Sequence, residues 1–379
     1  MARLLASVPG ASSSASAPKQ HSMSVFIDSP MHEIRITRVT AARPCRGMII
    51  TLPGHALLRD FVNSMQSIDY KSCWNARATT TAQALMAVDG SRDERTAQLT
   101  GAYSASQLRA ALQLQRGDRV FELGCGAARI GRELAPGVAL WHGLDIAENM
   151  LAAARDRLRD QANTALDALT RSQLDPLADA SMDKGYCIAV FIHMDKEDMV
   201  LYLRDVARVL RPGGLFYFDT WNLAHPVGWR RFDFEVNQAA QQPPEQRKDV
   251  ARNQFCTPQE VELYARAAGL EPVLMLTDSP WVQMVARKPD GGSDAVLRAA
   301  LGAAAAQIQY PALWTSLFNC ILDAEFRGEP PHSALDTLRH CALDDPLARM
   351  FRAWIHGAWM QRAADWGAPP DELEQGVNA

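Results

Sequence analysis

Val120-Phe-Glu-Leu-Gly-Cys-Gly-Ala-Ala-Arg-Ile-Gly131 is the stretch of sequence that decides the fold. An apolar run that includes the acid Glu122 predicts a buried strand, and a glycine-rich turn follows it. Gly124 and Gly126 have no Cβ, so the backbone can turn tightly there and approach a ligand. The residues from Arg129 onward predict a helix whose first amides face the turn. Strand, glycine turn and helix in this order predict a nucleotide-binding βαβ unit.

A second acid lies where such a unit places its ribose ligand. Asp145 follows the next apolar run, residues 138–144. An acid at the end of the second strand accepts hydrogen bonds from ribose hydroxyls in nucleotide-binding folds. The dinucleotide pattern G-x-G-x-x-G/A, however, requires a third small residue where this chain has Arg129. This mismatch disfavours a dinucleotide, and an NAD-linked oxidoreductase is kept only as an alternative.

The spacing of Glu122, Gly124, Gly126 and Ala128 resembles motif I of the class I S-adenosylmethionine-dependent methyltransferases, roughly E/D-x-G-x-G-x-G. Ala128 stands where that pattern has its third glycine. S-adenosylmethionine has no phosphate and carries a sulfonium and an ammonium group, so an acid beside the turn suits it better than it suits a pyrophosphate. The resemblance implies S-adenosylmethionine as the cofactor and methyl transfer as the reaction.

The chain downstream of this motif is similar to the same family in order and spacing. Residues 140–151 resemble motif II, residues 174–183 resemble the loop before the fourth strand, and residues 209–219 resemble the turn that enters the fifth strand. Two apolar runs, residues 271–277 and 281–288, match strand six and the antiparallel strand seven. The resemblance implies an α/β fold with a Rossmann-like, seven-stranded methyltransferase sheet whose last strand is antiparallel.

The resemblance also implies which residues contact the cofactor. Asp145 is the expected ribose acid, and Ile146 and Met150 are expected to flank the adenine. Ser172 and Gln173 lie where the family contacts the adenine ring, although the family often has an acid and a polar residue there. The full set of predicted cofactor contacts is Glu122, Gly124, Cys125, Gly126, Asp145, Ile146, Met150, Ser172, Gln173 and Ala189.

Polar residues at the ends of the fourth and fifth strands are the catalytic candidates. His193 follows the predicted fourth strand, residues 184–192, and Asp219 ends the fifth. Strand ends of open α/β sheets line the ligand crevice. Histidine titrates near neutral pH, so His193 suits a general base. Each residue also has a structural interpretation. His193 would pack or would cap the following helix, and Asp219 would cap a turn.

Two segments beside the predicted site are candidates for closing it. The helices before the first strand are expected to close over the cofactor, and they contain Trp74, Arg77 and Tyr103. The alternatives are that Trp74 packs between helices and that Arg77 is a solvated charge. After the fifth strand, residues 223–243 predict a long loop, which is a candidate substrate lid. Trp221 just before it is a candidate to stack on the acceptor.

Composition divides the chain into four regions. Residues 1–23 are rich in serine and alanine and predict disorder, and residues 24–105 predict a β-like arm followed by lid helices. Residues 106–289 are the predicted cofactor-binding domain, and residues 290–379 predict a C-terminal helical extension. Aromatic residues recur in the extension at near-helical spacing, which indicates a core or an interface. The extension is expected to cover the substrate opening or to form a homodimer.

Composition also limits partners and location. A net charge of −4 lacks the basic footprint that usually marks nucleic-acid binding. The seven cysteines contain no C-x-x-C pair, so neither a disulfide framework nor a zinc site is expected. A cytoplasmic location is expected instead. No run of about 18 apolar residues predicts a membrane span.

The leading hypothesis is methyl transfer to a small-molecule, sugar or lipid-linked biosynthetic acceptor. The alternatives are an RNA or protein methyltransferase and a non-catalytic protein that keeps the fold. Amino-methylating relatives show N-P-P-Y or D-P-P-Y after the fourth strand, where this chain has Ile188-Ala-Val-Phe191. The intact Gly124, Gly126 and Asp145 argue against a non-catalytic protein.

Overall fold

The structure is a computed structural model that describes residues 69–170, 172–243 and 253–373. The region predicted to be disordered, residues 1–23, and the predicted β-like arm lie outside the described residues. The described residues fall in one compact unit of the chain. The predicted domain boundaries after residues 105 and 289 lie within this unit and stay predictions.

A mixed β-sheet forms the centre of this unit. Its strands are β1 (Arg119–Leu123), β2 (Leu140–Asp145), β3 (Thr164–Ala168), β4 (Met182–Cys187), β5 (Leu210–Asn222), β6 (Phe255–Cys256), β7 (Glu271–Leu276) and β8 (Trp281–Arg287). They run in the order β3-β2-β1-β4-β5-β8-β7, with β6 paired to β5 outside this path. Pairs among β1 to β5 are parallel, whereas β8 is antiparallel to both neighbours. The predicted Rossmann-like sheet is confirmed, with the two-residue β6 as an addition.

Helices precede, connect and follow the strands. They are α1 (Tyr70–Ala76), α2 (Thr81–Asp89), α3 (Glu94–Leu112), α4 (Arg129–Leu134), α5 (Glu148–Arg157), α6 (Lys196–Val209), α7 (Pro226–Ala240), α8 (Pro258–Ala267), α9 (Ala295–Ile308), α10 (Ala312–Arg327), α11 (His332–Arg339), α12 (Pro346–Gln361) and α13 (Ala363–Trp366). Helices α1 to α3 are the predicted lid helices, and α9 to α13 form the predicted C-terminal extension. Within the described ranges, no helix is long and apolar enough to cross a membrane.

The sheet is covered on both faces, which explains why most residues of its central strands β1, β5 and β8 are buried. Successive residues of a strand point to opposite faces. Phe216 and Phe218 of β5 therefore pack in one cluster with α6 and α8, whereas Leu215 and Tyr217 pack in another with α3 and α9. The parallel strands place their carboxyl ends at one edge, where the predicted site residues lie.

The fourth strand is shorter than predicted. It ends at Cys187, and Ala189 adopts a φ of +57° that a strand cannot continue. A single 3₁₀ turn, Phe191–His193, follows. His193 therefore lies one turn beyond the strand rather than directly at its end.

The segment after β5 is also different from the prediction. Residues 223–243, predicted as a long loop, contain the helix α7. His225 caps this helix by accepting a hydrogen bond from the Val227 amide, and Pro226 suits the first helical position. Pro226 thus marks the start of a helix within the segment that was predicted as a loop.

The C-terminal extension packs against the sheet through aromatic side chains. Trp314, Phe351 and Trp359 are buried in one cluster with Trp221 and Trp281 from β5 and β8. The expectation that the aromatic stripe forms a core is confirmed. A homodimer through these helices stays a prediction, and it would have to use other side chains.

Candidate functional site

A cleft opens at the carboxyl ends of β1, β2 and β4, which we call the strand-end cleft. The space between its lining residues is about 810 Å³, with open solvent at the mouth included. Among the residues described, its lining contains no lysine and no arginine. The described lining therefore offers neither a lysine nor an arginine to a phosphate.

The glycine turn forms the floor of the cleft and requires glycine for two reasons. Gly124 and Gly126 have φ values of +70° and +51°, a region that favours glycine. A Cβ on Gly124 would lie 2.4 Å from Val190 Cγ2, and a Cβ on Gly126 would lie 2.5 Å from Val88 Cγ2. The turn is thus held between the loop after β4 and the helix α2. Ala128 adopts a φ of +55° where the family has glycine, at a cost of about 1–2 kcal/mol.

Asp145 fixes the turn from the end of β2. Its Oδ2 accepts the Gly126 amide and its Oδ1 accepts the Ala147 amide, both at 2.8 Å. Burial raises its pKa to about 6, although these amides favour the charged form. A carboxylate has about four acceptor positions. Since Asp145 also lines the cleft, it can accept further hydrogen bonds from hydroxyls bound there.

Glu122 lies beneath the turn rather than in the cleft. Its Oε2 accepts a hydrogen bond of 2.6 Å from the Tyr186 hydroxyl, which in turn accepts one from Trp141 Nε1. Burial raises the pKa of Glu122 to about 8. Cys125 is also buried and absent from the lining. The structure therefore places these two predicted contacts behind the backbone of the turn.

Arg129 has a role that the sequence patterns did not reveal. It is the first residue of α4, it is buried, and its Nε lies 3.1 Å from Asp89 Oδ2. Its Nη1 donates to Ser104 Oγ on α3 at 3.2 Å. The side chain thus ties α2 and α3 to the start of α4. Asp89 is forty positions upstream, so no local motif could have indicated the pair.

The far side of the cleft is apolar and carries three of the predicted adenine contacts. Ile146, Met150 and Ser172 line it, whereas Gln173 does not. The Ser172 hydroxyl donates to Asp198 Oδ1 at 2.5 Å. Leu169 lines the same side and was not predicted.

The near side of the cleft is formed by the segment after β4. Ala189 and His193 both line it. The His193 ring meets the Trp74 ring edge-to-face, with centroids 5.0 Å apart. Trp74 therefore lies where the lid prediction put it, whereas Tyr103 packs with the aromatic cluster of the C-terminal extension.

Asp219 lies behind this wall and does not line the cleft. Its Oδ1 accepts the Ala189 amide at 2.7 Å, and its Oδ2 accepts the Tyr310 hydroxyl at 3.3 Å. Burial raises its pKa to about 7. The geometry gives this residue a positioning role. Trp221, predicted to stack on the acceptor, is buried against Trp281 with ring centroids 4.8 Å apart.

The lid helix α1 is fastened to the α5 end of the cleft. The Asn149 amide donates to Asn75 Oδ1, and Asn149 Nδ2 donates to the Asn75 carbonyl, both at 3.0 Å. Lys71 Nζ lies 2.7 Å from Glu148 Oε1. These contacts hold Trp74 of the same helix over the cleft.

The residues present fit S-adenosylmethionine as a ligand. Gly124 and Gly126 leave room for close approach, and Asp145 offers acceptors to ribose hydroxyls. The absence of lysine and arginine from the described lining suits a cationic ligand and leaves a pyrophosphate without a cationic side chain.

Residues 121–218 match the family model described as a methyltransferase domain. This chain contains a class I methyltransferase domain. The cofactor of this family is S-adenosylmethionine, and the domain spans the glycine turn, Asp145 and the segment after β4.

Curated relatives each resemble part of this chain. A methyltransferase of Streptomyces halstedii, GfsG, is 36% identical over 118 residues, 30% of this chain and 41% of that protein. An O-methyltransferase of Aspergillus nomiae, rstn1, is 31% identical over 26% of this chain and 44% of that protein. A ubiquinone biosynthesis O-methyltransferase of Neisseria meningitidis is 26% identical over 41% of this chain and 65% of that protein. The chain thus spans less than half the length of the first two.

Proposed function

We propose that the protein transfers the methyl group of S-adenosylmethionine to a small-molecule acceptor of a biosynthetic pathway. The observation that supports this most is the strand-end cleft, where the glycine turn and Asp145 meet without any lysine or arginine in the described lining. The similarity to curated methyltransferases, two of them named O-methyltransferases, supports the same function. The predicted cytoplasmic location stays a prediction.

Each side of the cleft has a separate task in this proposal. Asp145 binds the ribose hydroxyls, and Ile146 and Met150 hold the adenine in an apolar slot. The bound cofactor supplies a methyl carbon activated by its sulfonium. The protein aligns the donor with the acceptor and excludes water, which accounts for much of the rate gain in such substitutions. Trp74 and α1 provide the cover.

His193 is the proposed general base for an acceptor that reacts through a hydroxyl group. Among the described lining residues it is the one imidazole. As the acceptor oxygen forms its bond to the methyl carbon, the carbon–sulfur bond breaks and sulfur keeps its electron pair. The hydroxyl proton passes to His193. A base in this position contributes about 10²–10⁴-fold to such a proton transfer.

The acceptor class is tested by following the transfer of a labelled methyl group. The purified protein is incubated with labelled S-adenosylmethionine and with three fractions of a cell extract: metabolites, RNA and protein. The proposal expects label in the metabolite fraction. Label confined to RNA or protein would replace the small-molecule acceptor, and no label in any fraction would argue against catalysis.

A further inference from the structure

A second cavity opens beside the strand-end cleft, between α1 and α2, and we call it the side cavity. It is an open groove in which Arg77 and Gln83 are exposed, and the space between its lining residues is about 760 Å³ with open solvent included. Trp74, Ala87 and His193 line both cavities. The two cavities therefore meet at the histidine proposed to accept the acceptor's proton.

The side cavity has a different chemical character from the cleft. Its further lining residues are Arg77, Gln83 and Met86. An indole ring and a thioether offer a flat apolar surface. The Arg77 guanidinium lies over the Trp74 ring, 5.7 Å from the centroid. No acid belongs to the described lining, so the cavity favours a negatively charged ligand.

Arg77 contacts the Trp74 ring, whereas two other arginines near the strand ends pair with acids. No acid among the described residues pairs with Arg77. Arg230, by contrast, contacts Asn319 and Asp323 on α10. Arg231 pairs with Glu235 and Glu325.

We infer that the side cavity is the acceptor site and that it takes a planar hydroxylated compound with an anionic group such as a carboxylate. The inference rests on the proposed methyl transfer. The ring of the compound lies against Trp74, its hydroxyl faces His193 and the strand-end cleft, and its anionic group meets Arg77. This arrangement sets the reacting hydroxyl and the charge at opposite ends of the acceptor.

Three probes that share a catechol ring and differ in charge test the inference: 3,4-dihydroxybenzoate, catechol and dopamine. Each is titrated by calorimetry into the protein saturated with S-adenosylhomocysteine. We expect 3,4-dihydroxybenzoate to bind at least about tenfold more tightly than catechol, as a charge-assisted hydrogen bond allows. Dopamine should bind more weakly than catechol.

Three variants separate the role of Arg77 from a general charge effect. Arg77→Gln should remove the preference for 3,4-dihydroxybenzoate over catechol, and Arg77→Lys should keep part of it. Arg159→Gln, which changes an exposed arginine in the turn after α5, should leave the preference unchanged. S-adenosylhomocysteine should bind all of these variants as it binds the wild type.

Two results would overturn the inference while leaving the proposed function intact. One is normal S-adenosylhomocysteine binding with no preference for the anionic probe. The other is a preference that survives Arg77→Gln unchanged. Failure of the wild type to bind S-adenosylhomocysteine at all would overturn the proposed function and the acceptor site together.

Discussion

The Ala189 amide donates a hydrogen bond of 2.7 Å to Asp219 Oδ1, and this bond connects the wall of the strand-end cleft to the interior of the sheet. Ala189 has a φ of +57°, which a residue with a Cβ rarely adopts. The other oxygen of Asp219 accepts a hydrogen bond from the hydroxyl of Tyr310, which lies between α9 and α10 of the C-terminal extension. The extension thus contacts the cleft wall through the buried Asp219 carboxyl group, in addition to apolar packing against Ala189 and Ile192.

Substitutions at Asp219 should separate its acceptor role from its charge. Asp219→Asn keeps an oxygen that can accept the Ala189 amide, so stability should change by less than about 1 kcal/mol. Asp219→Ala leaves that amide unpaired and should cost about 1–3 kcal/mol. The measurement is urea unfolding, together with the KM for the donor, which should rise in Asp219→Ala. Equal losses in the two variants would contradict the positioning role.

Glu122 should make the protein less stable as the pH rises. Burial raises its pKa to about 8 from an ordinary value of 4.5. Between these two values the folded state holds the proton and the unfolded state releases it, so the free energy of unfolding falls with increasing pH. The loss of stability caused by Glu122 is complete above about pH 8, and there is no such loss below about pH 4.5.

The variant Glu122→Gln isolates this contribution. The glutamine stays neutral and can still accept a hydrogen bond from the Tyr186 hydroxyl. The free energy of unfolding of the variant relative to wild type should therefore increase from pH 5 to pH 8.5, by about 1 kcal/mol or more. Urea unfolding across this range is the measurement. Glu329→Gln, at an exposed position, should show no such trend. A relative stability that stays flat with pH would mean that Glu122 is charged in the folded protein.

The contact between Gly126 and Val88 should appear as energetic coupling. Gly126→Ala adds a Cβ 2.5 Å from Val88 Cγ2 at a φ of +51°, so it should cost about 2–4 kcal/mol from backbone strain and crowding. In a Val88→Ala background the crowding disappears and only the strain remains. A double-mutant cycle by urea unfolding should give a coupling of about 1 kcal/mol or more. Additive losses would show that α2 does not close on the turn.

His193 should affect catalysis without affecting donor binding. His193→Gln removes the proposed base, so kcat with a hydroxyl acceptor should fall by about 10²–10⁴-fold. The Kd of S-adenosylhomocysteine should change by less than about threefold. His340→Gln, at an exposed histidine on the C-terminal side, is the matched control. A kcat that is unchanged in His193→Gln would leave His193 a packing partner of Trp74.

The parts of the site that the sequence predicted well are those set by local chemistry. The positive φ values of Gly124 and Gly126 favour glycine whatever surrounds the turn. The role of Asp145 could be predicted from its position at the end of a strand. The strand order follows from the ordered motifs because the family fold fixes it. The two glycines could be found from the turn itself, whereas Asp145 and the strand order required the motifs downstream of it.

The parts that the sequence did not predict depend on contacts between distant segments. Asp219 was expected at the acceptor, yet Tyr310, 91 positions later, covers it and holds it inside. Arg129 was noted only as a mismatch, because its partner Asp89 is brought near by the packing of α2. Trp221 became part of the core when the C-terminal helices covered that end of the sheet.

The most direct test of the account is calorimetric titration of S-adenosylmethionine and of NAD⁺ into the wild type, Asp145→Asn and the exposed control Asp156→Asn. S-adenosylmethionine should bind the wild type and Asp156→Asn with equal affinity. It should bind Asp145→Asn about ten- to a hundredfold more weakly, because charge-assisted hydrogen bonds are lost. NAD⁺ should not bind. Binding of NAD⁺ in preference to S-adenosylmethionine, or equal S-adenosylmethionine affinity in all three proteins, would contradict the assignment of the strand-end cleft.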